Sequence, residues 1–134
     1  MEKYLMIDEN GLASVITRKD DESKFDFWYG HIGCNCVDIV DAQGIRDGSV
    51  DGDTKYCLVL NDSGWLEANA KVNSIASLLY GYMLHKQGLP NKVIVAKNKR
   101  TDDGLETVGL NDEDIAELHM HIHNLINEYI SKEW

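Results

Sequence analysis

The chain has 134 residues, 43% of them hydrophobic and 27% charged, which is enough to close one core without a disulfide or metal staple. Its formal net charge of −10 argues against nonspecific binding to nucleic acid or anionic lipid, both of which carry the same sign. A single proline and modest compositional bias argue against long disordered segments, so one globular domain over residues 1–134 is expected.

No apolar run reaches the length of about 18 residues that a membrane-spanning helix needs, and the first residues lack the apolar stretch of a secretory signal. The cysteines, Cys34, Cys36 and Cys57, are odd in number, which fits free thiols in a reduced cytoplasm.

In chain order, Lys3 to Ile7 is a short apolar strand and Asn10-Gly11 is a hairpin turn signal. Leu12 to Arg18 is the return strand. Lys24 to Ile32 is aromatic. Phe25 and Phe27 alternate as in a strand, and a short helix fits as well. Val37 to Val40 reads as a strand with a charged outer face at Asp38. Asp41 to Asp53 is a glycine- and aspartate-rich loop or loose hairpin.

Tyr56 to Leu60 is an apolar strand, followed by turn residues Asn61-Asp-Ser-Gly64. Trp65, Leu66 and Ala68 are expected to continue a hairpin across that turn. Asn69 or Asn73 caps a helix whose stripe is Ile75, Leu78, Leu79, Tyr82 and Met83, with Gly88 at its end and Pro90 beyond. Lys92 to Ala96 is another strand. Asn111 caps a long C-terminal helix that carries Asp112, Glu113 and Asp114 in its first turn. Ile115, Leu118, Ile122, Leu125, Ile126 and Tyr129 line one face of it.

Chemistry-bearing motifs are few. Asp47, Asp51 and Asp53 lack the ligand order of a calcium loop. His31, Cys34 and Cys36 offer zinc-type ligands but not the two separated pairs of a structural site, so packed thiols are expected. His119 and His123 share a helix flank, with His121 across the apolar stripe, and no metalloprotease motif surrounds them. Ser63 is not in a nucleophile elbow. No phosphate loop exists, and the spacing of Gly44 and Gly48 is loop composition. No catalytic residue, metal site or cofactor is therefore assigned, and a non-enzymatic protein is expected.

Aromatic side chains supply stacking platforms and contact hot spots. Arg18, Arg46 and Arg100 are the only arginines, so a multi-arginine phosphate pocket would have to form across a dimer interface. The candidate ligand- or partner-binding residues are Trp28, Tyr29, Arg46, Asp51, Asp53, Trp65, Tyr82, Arg100 and Asp102.

Four features in order carry a resemblance. They are the strand Tyr4 to Ile7; Ile32-Gly33 through Val37-Asp38; the strand, acidic turn and asparagine from Cys57 to Asn73; and Lys92 to Ala96 ahead of Val108-Gly-Leu-Asn-Asp-Glu113. Together they resemble the family known as domain of unknown function 3846, from phages, plasmids and conjugative elements. Cys34 departs from that pattern where the family has a second glycine, and the helix around Ile75 to Leu84 is longer. The resemblance carries no catalytic residues. It implies a small acidic accessory protein of a mobile element, some of which disarm host defences, acting in the host cytoplasm.

The fold expected is α+β, a mostly antiparallel sheet of four to six strands against two helices near residues 73–86 and 112–131. The function expected is binding and inhibition of a host defence component, of the anti-CRISPR or anti-restriction type. The alternatives are sequestration of a nucleotide immune signal and a structural or replication accessory role. Direct nucleic-acid or membrane binding is not expected, and a homodimer is compatible with the aromatic content.

Overall fold

Alternating side chains and an Asx turn build the first hairpin of the computed structural model, which describes residues 1–45, 54–81 and 86–129. Strand β1 (Glu2–Ile7) pairs antiparallel with β2 (Ala13–Arg18). The Asp8 carboxylate accepts the backbone N–H groups of Asn10 and Leu12, and Gly11 takes a φ of 84° that few other residues tolerate.

The aromatic segment is helix α1 (Lys24–Ile32). Ser23 caps its N-terminus by accepting from Asp26 N–H, and Gly33 closes its C-terminus in the left-handed region. Next come β3 (Val37–Asp41) and β4 (Tyr56–Asn61), which pair antiparallel. The expected strand over Trp65 and Leu66 is instead a single 3₁₀ turn, Gly64–Leu66. Ser63 N–H bonds to the Asn61 side chain, which bends the chain away from the sheet before a hairpin can form.

Short β5 (Val72–Asn73) pairs with β6 (Leu89–Pro90). Asn73, not Asn69, caps helix α2 (Ser74–Tyr80), accepting from Ala76 N–H. Its C-cap is Gly81 at φ 102°, earlier than the expected Gly88. Long β7 (Val93–Thr101) and β8 (Gly104–Val108) form the last hairpin. Helix α3 (Asp112–Tyr129) follows. Asn111 and Asp114 cap it reciprocally, each backbone N–H bonded to the other's side chain.

The six-stranded sheet is antiparallel, in the order β2-β1-β7-β4-β3, with β8 paired to the far half of β7. Both of its faces are covered, so β4, between β7 and β3, is buried along its whole length. One face carries Leu5, Ile7, Leu58, Leu60, Val93 and Val95 against α2 and α3. The other carries Tyr4, Cys57, Val59, Ile94 and Ala96 against Phe27, Trp28 and Ile32 of α1. The α+β class is as the sequence implies, but the described residues hold three helices in two layers, not two in one. Each fully covered Leu, Val or Ile contributes about 1.5–3 kcal/mol, so the sheet's two faces supply most of the driving force.

Candidate functional site

Period two along the sheet places the site. Asp38 lies opposite Leu60, and Val40 opposite Leu58, so Asp38, Val40 and Leu60 share the face that α2 and α3 cover. Asp62 follows two residues after Leu60. Helix α2 ends at Tyr80 over this corner of the sheet. There a cleft of ≈ 230 Å³ opens, walled by Asp38, Val40, Leu60, Asn61, Asp62, the 3₁₀ turn, Tyr80, Gln87, Leu89 and Pro90.

The turn beside the cleft is fixed from beneath. Asn61 Oδ1 accepts Ser63 N–H at 3.0 Å, while its Nδ2 donates to Glu67 Oε1 at 2.7 Å. A Cβ on Gly64 would stand 2.7 Å from Pro90 Cγ, so only glycine lets the turn sit on β6. Below lies Asn73, fully buried, whose Nδ2 donates to Ile7 O and Asn91 O. Ser77 Oγ bridges Asn73 O and Leu89 N–H, each at 2.7 Å. This polar scaffold holds Trp65 and Leu66 at the mouth with 45% and 86% of their surfaces exposed. Their adjacency at the cleft, rather than exposure alone, sets them apart from the scattered exposed apolar side chains elsewhere on the surface.

The electrostatics are one-sided. Asp38 and Asp62 both line the cleft, and no lysine, arginine or histidine among the described residues does. Asp38 Oδ1 accepts its own neighbour's N–H, from Ile39, at 2.9 Å. Among the described residues neither carboxylate has an ion-pair partner.

Of the five candidate residues that are described, only Trp65 lines this cleft. Trp28 is 1% exposed in the core on the opposite face, so its indole is not a binding surface. Tyr29 is half-buried on α1, 6.1 Å ring to ring from Phe25. Arg100 and Asp102 lie at the β7–β8 tip. That tip is the far end of the sheet, because Lys97 pairs with Tyr56 at the start of β4 while the cleft lies past its end. Arg46, Asp51, Asp53 and Tyr82 lie outside the described residues, as does Asp47. Asp38, Asp62 and Tyr80 were missed, since only the β3–β4 register and the end of α2 bring them together. The alternation of Asp38 with Val37 and Ile39 was the available signal.

Among the described residues no three His, Cys, Asp or Glu side chains gather as metal ligands. His31 packs on Phe27, ring centroids 4.5 Å apart, and His121 contacts Glu117. Cys34 is half-buried, Cys36 exposed and Cys57 buried, all as free thiols. Burial pushes the Cys57 thiol up to about 12, which makes it a poor nucleophile.

A second group of charges joins α3 to the sheet. Lys97 Nζ lies 2.7 Å from Asp114 Oδ2, and Lys55 reaches Asp114 at 3.4 Å and Glu117 at 2.8 Å. Burial alone would raise the Asp114 carboxyl, but Lys97, the Asn111 N–H and Lys55 outweigh it and hold it below the ordinary 3.8. Each charge here is paired, so the group reads as a clamp on the helix.

Comparison of the chain with protein-family models, with curated proteins and with solved structures gave no match in any of the three. No helix among the described residues is long and apolar enough to cross a membrane.

Proposed function

We propose that this chain is a non-enzymatic accessory protein of a phage or mobile element that binds and inhibits a host defence component. The observation carrying this is the exposed pair Trp65 and Leu66 beside an acidic cleft, on a turn tied down by the Asn61 side chain. Rigid aromatic and aliphatic anchors are what protein interfaces concentrate their binding energy on, because little ordering is lost on contact. The net charge of −10 adds long-range attraction to a basic surface such as a nuclease channel.

The same geometry disfavours the nucleotide-sequestering alternative. A nucleotide would bring its phosphates against Asp38 and Asp62, with no cation from the described residues to offset them. At ≈ 230 Å³ the cleft is also below the roughly 300–1,000 Å³ of sites that engulf a small organic ligand.

The test is inhibition of CRISPR and restriction nucleases by the purified protein, beside a thermal-shift screen against cyclic and linear nucleotides. Stoichiometric inhibition that Trp65→Ala with Leu66→Ala abolishes is the expected result. A shift of several degrees with one nucleotide, and no inhibition, would replace this reading with the sequestering one.

A further inference from the structure

Resting on that reading of the cleft, we infer that its occupant is an arginine side chain presented by the partner protein. Three features of the cleft together fit a guanidinium. The first is size. A cleft of ≈ 230 Å³ is on the scale of one long side chain, not of a cofactor or nucleotide.

The second is charge. Two carboxylates from adjacent segments line the space, and nothing cationic among the described residues neutralises them. Asp38 keeps one oxygen on the Ile39 N–H, leaving Oδ2 for an incoming donor. Asp62 follows the end of β4, at a diagonal position from Asp38 across the strand pair, so both carboxylates border the same space.

The third is the wall. Trp65 and Tyr80 both line the cleft, and an indole or phenol face attracts a flat, weakly hydrated cation. Lysine offers the charge but neither the plane nor the fork, and its ammonium is costlier to strip of water. Leu60, Val40 and Leu89 supply apolar surface for the methylene stem of the occupant. The partner therefore presents arginine from a basic surface, and the exposed Leu66 packs beside it.

The experiment uses the full chain and three small probes: N-acetyl-arginine amide, its neutral isostere N-acetyl-citrulline amide, and N-acetyl-lysine amide. Binding is read from amide and indole NMR signals, with the Trp65 indole assigned by Trp65→Phe. Adenosine monophosphate serves as the anionic control. The probes are taken to roughly tens of millimolar, where a fragment of this size with ordinary ligand efficiency is bound.

The expected result is a saturable shift of the Trp65, Asp62 and Asn61 signals by the arginine probe. The citrulline probe should bind at least tenfold more weakly, the lysine probe should lie between them, and the effect should be lost in Asp38→Asn with Asp62→Asn. Equal shifts from arginine and citrulline, stronger shifts from the nucleotide, or no shift at all would overturn the inference. The parent reading fails separately. If inhibition of the target is lost with Trp65→Ala but survives Asp38→Asn with Asp62→Asn, the protein remains an inhibitor and only the arginine assignment falls.

Discussion

Lys97 and Asp114 lie 2.7 Å apart, Nζ to Oδ2, with only 4% of the Asp114 side chain open to solvent. The strand and the helix they belong to have no sequence contact, so this pair pins α3 to the centre of the sheet. Removing one member of a buried pair leaves the other charge uncompensated. Asp114→Asn is expected to cost roughly 3 kcal/mol, the lower end for such pairs, because Lys97 keeps a quarter of its surface in water. Urea unfolding of variant and parent near neutral pH measures this. A loss below about 0.5 kcal/mol, typical of a surface pair, would show that the clamp does not hold the helix.

The same clamp fixes how stability responds to acid. The carboxyls of Asp114, Glu117 and Glu2 all titrate lower in the folded chain than their ordinary 3.8, 4.5 and 4.5. For Glu117 the cause is chiefly the Lys55 hydrogen bond. For Glu2, burial pushes upward but Arg18, the Gly109 N–H and Tyr4 outweigh it. Carboxyls depressed by folding stabilise fully above their unfolded values and lose that contribution as pH falls through the folded ones. Stability should therefore be flat from neutral pH to about 5 and fall steeply below 4. The difference between parent and Asp114→Asn should shrink over the same interval. Chemical denaturation across that range is the check, and a gap that stays constant below 3.8 would mean Asp114 is not the titrating group.

Gly44 offers a sharper steric test. A Cβ there would stand 1.9 Å from Leu78 O and 2.9 Å from Leu79 O, while its N–H donates to Leu79 O at 2.8 Å. Those atoms are helix backbone and cannot rotate away, so Gly44→Ala must lift the segment off α2. A loss of about 2 kcal/mol or more is expected, of the order seen for overpacked sites. Gly30, inside α1 with no atom within 4 Å of its added Cβ, is the control. Gly30→Ala should stabilise by up to about 1 kcal/mol through helix propensity. Thermal melts of both variants decide it, and similar melts would remove the close-approach argument.

How much of this was legible depended on whether the deciding interaction was local. The Asn10-Gly11 hairpin, the apolar runs of β4 and β7, and the Asn111 cap all announce themselves within a few residues, and the structure has them there. α1 was ambiguous because Phe25 and Phe27 alternate. Ser23 and Gly33 settle it, and the second layer of the sandwich follows from it. The turn at Trp65 was misread because the Asn61 side chain diverts the chain, a choice hydropathy does not record. Trp65 was found by residue type alone. The carboxylates beside it became visible only with the β3–β4 register. Gly44 looks like loop composition in the sequence, since its reason is a carbonyl more than thirty residues away.

The thiols should react in an order set by exposure. Cys36 is exposed, Cys34 half-buried with burial raising its pKa, and Cys57 buried and pushed up to about 12. Iodoacetamide at mildly alkaline pH should label Cys36 first, Cys34 more slowly, and Cys57 only after unfolding. Peptide mass spectrometry over a time course reads the order. Early labelling of Cys57 would mean that the α1 layer opens readily, and would weaken the case for a closed core on that face.

The two described tryptophans should behave as opposites. Trp28 fills the α1 layer, with Tyr4 edge-on at 6.1 Å between ring centroids, and its indole N–H has no hydrogen-bond partner among the described residues. Trp28→Ala removes a large buried ring and is expected to cost about 3–5 kcal/mol. Trp28→Phe should cost much less, because it forfeits volume but no hydrogen bond. Trp65 leaves 45% of its surface in water, so Trp65→Ala should change stability by no more than about 1 kcal/mol. Denaturation midpoints separate the two, and acrylamide quenching confirms the placement, since Trp65→Phe should lower the accessible fluorescence and Trp28→Phe should not. A large stability loss at Trp65 would mark it as core. The exposed anchor would then have to be sought at Leu66 and Val72, which leave 86% and 53% of their surfaces open on the same stretch of chain.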